Sequence, residues 1–121
     1  MARYRLSRLA EVDHAHILAS SEERWGPAAR RRYAAILAAA IRKAAAEPNG
    51  PATRDRSELS RGIRSFHLRH ARGDDPDARV RRPAHVLYYR ALAPDLIEIV
   101  RVLHERMEPS RHLGARAGKQ P

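Results

Sequence analysis

The chain of 121 residues contains no cysteine, so its reactive side chains are histidine, tyrosine, arginine and the carboxylates. Thiolate metal sites, disulfides and a cysteine nucleophile are excluded. Six residues combine proton transfer with a capacity to hold phosphate: Arg64, His67, Tyr89, Arg101, His104 and Arg106. Cleavage of an RNA phosphodiester needs a base for the 2′-hydroxyl, cations on the phosphate and a proton donor. Arginine holds phosphate but stays protonated and makes a poor base. Arg64 and His67 stand three apart on a predicted strand and so point to opposite sides. Lys43 and Lys119 are the only lysines, one on a predicted helix and one in the tail. The constellation is incomplete, and the expectation is a protein that acts by binding and not as an enzyme.

The histidines make no metal site by spacing. His14 and His16 are two apart on a helix and do not share a face. His67 and His70 fall on opposite faces of a strand. Neither a metal nor another cofactor is expected. His104, at a strand end, reads as a structural hydrogen-bonding residue. Tyr88-Tyr89 reads as one core ring and one surface ring. Trp25 reads as a lock on a helical turn.

Lys plus Arg number 24 against 14 Asp plus Glu, a formal charge of +10. Such a balance favours an acidic partner, either nucleic acid or an acidic protein, or serves solubility. Aromatic residues are nearly absent from the basic runs Arg30-Arg31-Arg32 and Arg79-Val80-Arg81-Arg82, so simple nucleic-acid binding loses ground. The length suits one domain, residues 1–113, with a disordered tail at 114–121. Much of the apolar fraction of 43% is alanine, which implies a thin core. No apolar run reaches the roughly 18–20 residues of a membrane span. Met1-Ala2-Arg3-Tyr4-Arg5 lacks a signal-peptide stretch, so the cytoplasm is the expected compartment.

These residues must be positioned by a short list of elements. Residues 3–7 read as a strand. Ser7 reads as the N-cap of a helix over 8–24, with Leu9, Val12, His16 and Ala19 as its buried stripe. Trp25-Gly26-Pro27 breaks it. In the second helix Ala29, Tyr33, Ile36, Leu37, Ala40, Ile41 and Ala44 recur at helical spacing. Glu47-Pro48-Asn49-Gly50-Pro51 ends it, and 51–62 reads as loop. Strands follow at 63–71, 84–91 and 96–104, and the connection 72–83 is long for a hairpin. Alternation puts Leu96, Val100 and Val102 on one side of the last strand and Ile97, Ile99 and Leu103 on the other. The order β-α-α-β-β-β is an α+β fold, an antiparallel sheet with an N-terminal αα-hairpin on one face. The hairpin covers one apolar face only, so a partner segment or a second copy is expected on the other.

The wording of the chain resembles the ParE branch of the RelE/ParE toxin superfamily. The resemblance rests on Tyr4-Arg5-Leu6-Ser7 with Ala10 and Asp13, Trp25-Gly26, Tyr33, Glu47-Pro48-Asn49-Gly50, Arg54 and Gly62-Ile63-Arg64-Ser65. It is strongest in His85-Val86-Leu87-Tyr88-Tyr89-Arg90 and Ile97-Glu98-Ile99-Val100-Arg101-Val102-Leu103-His104, with Arg106-Met107 and His112-Leu113. It spans about residues 4–113, and the long connection departs from the usual pattern. The resemblance implies a twisted sheet and a toxin that inhibits DNA gyrase, neutralised by an acidic ParD-like antitoxin. The alternative it implies is a RelE-like ribosome-dependent messenger RNA endoribonuclease. Nucleic acid would be met only through the gyrase–DNA complex, and no membrane is involved. The target-binding surface expected on this basis is Arg64, Tyr89, Arg101, His104, Arg106 and His112. The antitoxin is expected over Leu96, Ile97, Ile99, Arg101, Leu103 and Tyr33.

Overall fold

A computed structural model describes residues 2–73 and 76–113. Its elements are β1 (Arg3–Leu6), α1 (Arg8–Trp25), α2 (Pro27–Ala46), β2 (Thr53–Asp55), β3 (Arg64–His67), β4 (His85–Ala93) and β5 (Leu96–His104). Short 3₁₀ turns occupy Leu68–Ala71 and Pro109–Arg111. The expected tail at 114–121 lies outside the described residues. Among the described residues no helix is long and apolar enough to cross a membrane.

Ser7 converts the first strand into the first helix. Its N–H donates to the Ile99 carbonyl at 2.9 Å, the last rung beside β1. Its hydroxyl donates to the Val100 carbonyl at 2.8 Å and accepts the Ala10 N–H at 3.0 Å, capping α1. Gly26 ends α1 at φ +93° and ψ 172°, a region open essentially to glycine alone. Pro27 then takes the first position of α2, where its missing N–H costs nothing. Trp25 does not lock this turn; it is 72% exposed.

The sheet runs β1-β5-β4-β3-β2. The α+β architecture read from the sequence holds, with two additions. β1 pairs parallel to β5, so the sheet is mixed. β2 lies in the segment read as loop, pairing Thr53 with Phe66 and Asp55 with Arg64. Three residues are too few to display alternation. β3 is shorter than the predicted strand. The His67 ring Nδ1 accepts the Arg69 N–H at 3.0 Å and turns the chain into the 3₁₀ segment.

The β4–β5 hairpin carries two compensating irregularities. Ala93 pairs with Leu96 and Ala91 with Ile97, so Leu92 is extra on β4. Tyr89 pairs with Ile99 and Tyr88 with Arg101, so Val100 is extra on β5. The Val100 bulge exchanges the faces of the residues that follow it on β5. Val102 joins Ile97 and Ile99 beneath the helices, and Leu103 joins Val100 on the other side. This reverses the placement of Val102 and Leu103 given by strict alternation.

The main core lies between the hairpin and the sheet. Ile36, Leu37 and Ile41 of α2 meet Phe66, Leu87, Tyr89, Ile97, Ile99 and Val102. Small Ala40 and Ala44 let α2 approach closely. α1 is rotated from the expected stripe: Ala10 and Leu18 are buried, with Asp13, His14 and Ile17 beside them. Leu9, Val12, His16 and Ala19 face outward. The cause is Asp13, whose carboxylate must face β5 to accept its hydrogen bonds. The second sheet face is not left open. Leu59 and Ile63 from the β2–β3 connection and Leu113 cover Tyr88 and Leu103, so the chain supplies the cover expected from a partner.

Candidate functional site

The six expected target-binding residues divide by what already holds them. Arg101 is a doubly hydrogen-bonded partner of Asp13, Nε to Oδ2 at 2.8 Å and a terminal nitrogen to Oδ1 at 2.9 Å. Asp13 Oδ2 also accepts the Val102 N–H at 2.9 Å. Both side chains are mostly buried, at 15% and 13% exposure. The Asp13 hydrogen bond, opposed by burial, raises the Arg101 pKa further. β1 ends at Leu6, so past that point the edge of β5 would offer a bare N–H. Asp13 satisfies it from α1.

Arg64 and Tyr89 are cross-strand neighbours on β3 and β4. Both reach the turn after α2. Arg64 Nε donates to the Pro48 carbonyl at 3.1 Å and a terminal nitrogen to Thr53 Oγ1 at 2.7 Å. The Tyr89 hydroxyl donates to the same Pro48 carbonyl at 2.6 Å. Tyr89 is 1% exposed, and burial raises its phenol pKa. These two residues pin the Glu47-Pro48-Asn49-Gly50 turn onto the sheet.

His104, Arg106 and His112 lie beyond, near the carboxyl end of β5. His104 Nδ1 accepts the Arg106 N–H at 3.1 Å, which sets the turn after the strand. Arg106 is exposed and His112 half-buried. Beside them Met107 is 45% exposed.

The same end holds a histidine network that the sequence reading did not single out. His85 opposes His104 in register, and their rings meet edge-to-face with centroids 5.3 Å apart. Tyr33 Oη lies 2.6 Å from His85 Nδ1 and accepts the Ala84 N–H at 3.0 Å. Burial, with His104 adding, depresses the His85 pKa to about 4, so the ring is neutral. A neutral ring has one donor and one acceptor nitrogen, and Nδ1 is the one engaged with Tyr33. Burial likewise raises the Tyr33 phenol. His67 Nε2 pairs with Glu105 Oε1 at 2.7 Å, and that bond lowers the Glu105 pKa. The available signal was the tight Pro94-Asp95 turn, whose register alone sets His85 opposite His104.

Half of the six expected antitoxin contacts are interior. Ile97, Ile99 and Leu103 are 1%, 0% and 2% exposed. Leu96, Arg101 and Tyr33 are half-buried. The exposed apolar surface lies elsewhere, on Leu9 (38%) and Val12 (48%) of α1 and on Tyr4 (46%) of β1. Among the described residues no group of three or more His, Asp or Glu could hold a metal ion.

The sequence and the fold have counterparts among known proteins. The family model of the ParE toxin of the type II toxin–antitoxin system parDE matches residues 4–109. Toxin ParE1 of Caulobacter vibrioides is 34% identical over 114 residues, covering 94% of this chain and 100% of the relative. Toxin ParE1 of Mycobacterium tuberculosis is 31% identical over 112 residues, covering 93% and 98%. A solved structure described as a chromosomal ParDE toxin–antitoxin system from P. aeruginosa superposes with a TM-score of 0.63 at 16% identity. It covers 86% of this chain and 96% of that one, a likeness of fold. The chain belongs to the ParE toxin family of type II toxin–antitoxin systems.

Proposed function

We propose that this ParE-type toxin works in the cytoplasm by binding DNA gyrase and stalling it on cleaved DNA. A ParD-like acidic antitoxin neutralises it. One observation carries the choice of binding over chemistry. Three of the six side chains that could act on a phosphodiester already hold the fold together: Arg101 through Asp13, and Arg64 and Tyr89 through Pro48. His85 is neutral, with Nδ1 occupied by Tyr33. An enzyme site needs such groups free and convergent on one substrate.

The gyrase-facing surface in this reading is the carboxyl end of β5, with His104, Arg106, Met107 and His112. Exposed cation beside exposed apolar surface suits the anionic surroundings of an enzyme–DNA complex. The antitoxin meets the outward stripe of α1, Leu9 and Val12, and extends toward Leu96, Tyr33 and Arg101. The charge of +10 favours an acidic neutraliser, and the ParDE neighbour supports one of the ParD kind. The test pairs two reactions using antitoxin-free protein. Inhibited supercoiling by gyrase with messenger RNA left intact on translating ribosomes is the expected result. Active gyrase with cut messenger RNA would instead establish the RelE-like ribonuclease.

A further inference from the structure

The long connection between the 3₁₀ turn after β3 and the start of β4 is anchored on one side and charged on the other. Over residues 72–83 the sequence carries four arginines and three aspartates. Ala78 is 1% exposed and Val80 packs against the main core, while Pro83 is buried. The Val80 N–H donates to the Ala78 carbonyl at 3.0 Å, and Ala84 is tied to Tyr33. With those residues turned inward, Arg79, Arg81 and Arg82 are exposed. Arg72 reaches across the connection and donates to the Arg81 carbonyl at 2.6 Å. Arg72, Arg81 and Arg82 together line one open depression. The salt bridges of the described residues involve none of Arg72, Arg79, Arg81 or Arg82. Asp77 is placed at a different depression, with Arg31 and Arg32 of α2.

We infer that this arginine face is a docking surface for the phosphate backbone of duplex DNA, read without regard to sequence. Guanidinium forks match phosphate oxygens two at a time. The segment has no aromatic side chain on which a single-stranded base could stack. Protein interfaces centre on Trp, Tyr or Arg anchors seated in desolvated pockets, and here the arginines stand on an open face without an aromatic or large apolar neighbour. The large exposed apolar residues are Tyr4, Leu9, Val12, Trp25, Leu92 and Met107, none of them in this segment. The surface therefore gives the toxin its own hold on DNA, and the inference does not depend on gyrase being the target.

The test is fluorescence anisotropy of a labelled short duplex with the full chain, titrated at several KCl concentrations. Each phosphate neutralised adds about −0.9 to the slope of log affinity against log salt. Arg79→Gln, Arg81→Gln and Arg82→Gln together should flatten that slope by about 2.7. A charge-matched control, Arg8→Gln, Arg24→Gln and Arg61→Gln at exposed positions elsewhere, should leave most of the slope in place. Circular dichroism of both triple variants should match the parent chain, since all six side chains are exposed. Equal flattening by the two sets would reduce the effect to diffuse charge and overturn the inference. So would binding to poly-L-glutamate with none to the duplex, which would give the surface to an acidic protein.

Discussion

Replacing Asp13 with alanine removes three hydrogen bonds at once. Arg101 loses both of its carboxylate contacts, and the Val102 N–H at the edge of β5 loses its acceptor. The two side chains of the pair are only 13% and 15% exposed, so water repairs little of the loss. Removing one partner of a buried ion pair costs about 3–5 kcal/mol. Slight exposure puts Asp13→Ala near the lower end, about 3 kcal/mol. In urea, with a slope of about 1–3 kcal/mol/M, the midpoint should fall by roughly 1–3 M. Far-ultraviolet circular dichroism is the suitable probe, because Trp25 is 72% exposed and its fluorescence is a weak reporter of core loss. Asp13→Ala with Arg101→Ala should be less damaging than the sum of the two, by about 1–3 kcal/mol. A loss below about 1 kcal/mol for Asp13→Ala, the ordinary worth of an exposed pair, would refute this account of the β5 edge.

Three further outcomes follow from named contacts. His85 has a folded pKa of about 4 against an unfolded 6.5, so the unfolded chain binds more protons between those values. Stability should therefore be full above pH 6.5 and fall toward pH 4, by on the order of 3 kcal/mol from this residue. In urea midpoints measured across that range, His85→Gln should flatten the curve, and a curve of unchanged steepness would contradict the assignment. Gly26→Ala meets no neighbour within 4 Å, so its cost is backbone strain alone, about 1–3 kcal/mol in the same urea assay. A neutral result would mean that the α1–α2 turn relaxes. Val12→Glu, on the exposed stripe of α1, should leave the melting temperature unchanged and weaken antitoxin binding at least about tenfold by calorimetry. Unaltered affinity would move the antitoxin off α1.

The legible parts of the fold were those where one periodic signal dominated. α2 was readable because alanine and isoleucine repeat without a competing polar requirement, and Ile36, Leu37, Ala40, Ile41 and Ala44 are all buried. α1 was misread in rotation because its orientation is set by one polar residue. Asp13 must reach Arg101 and Val102, and that outweighs burial of Leu9 and Val12. β5 was located correctly, but the Val100 bulge exchanged the faces of Val102 and Leu103, which no alternation rule reveals. The surplus apolar face followed from that same alternation. Leu59 and Leu113 are isolated apolar residues in polar stretches, and Ile63 reads as the first residue of a strand, so none of them signals that it covers that face. Of the candidate site, residue types were legible and commitments were not. Arg64, Tyr89 and Arg101 looked like surface chemistry until their partners Pro48 and Asp13, far away in sequence, were in view.

Gyrase poisoning is read out by adding the antitoxin-free toxin to purified gyrase on relaxed plasmid, then denaturing the mixture and scoring linear DNA. Supercoiled product should be lost and linear DNA should accumulate as toxin is raised. The paired Arg106→Glu and Met107→Ser variant, which alters exposed residues only, should give a weaker response. Full supercoiling at every toxin concentration, from protein whose circular dichroism shows it folded, would contradict gyrase poisoning.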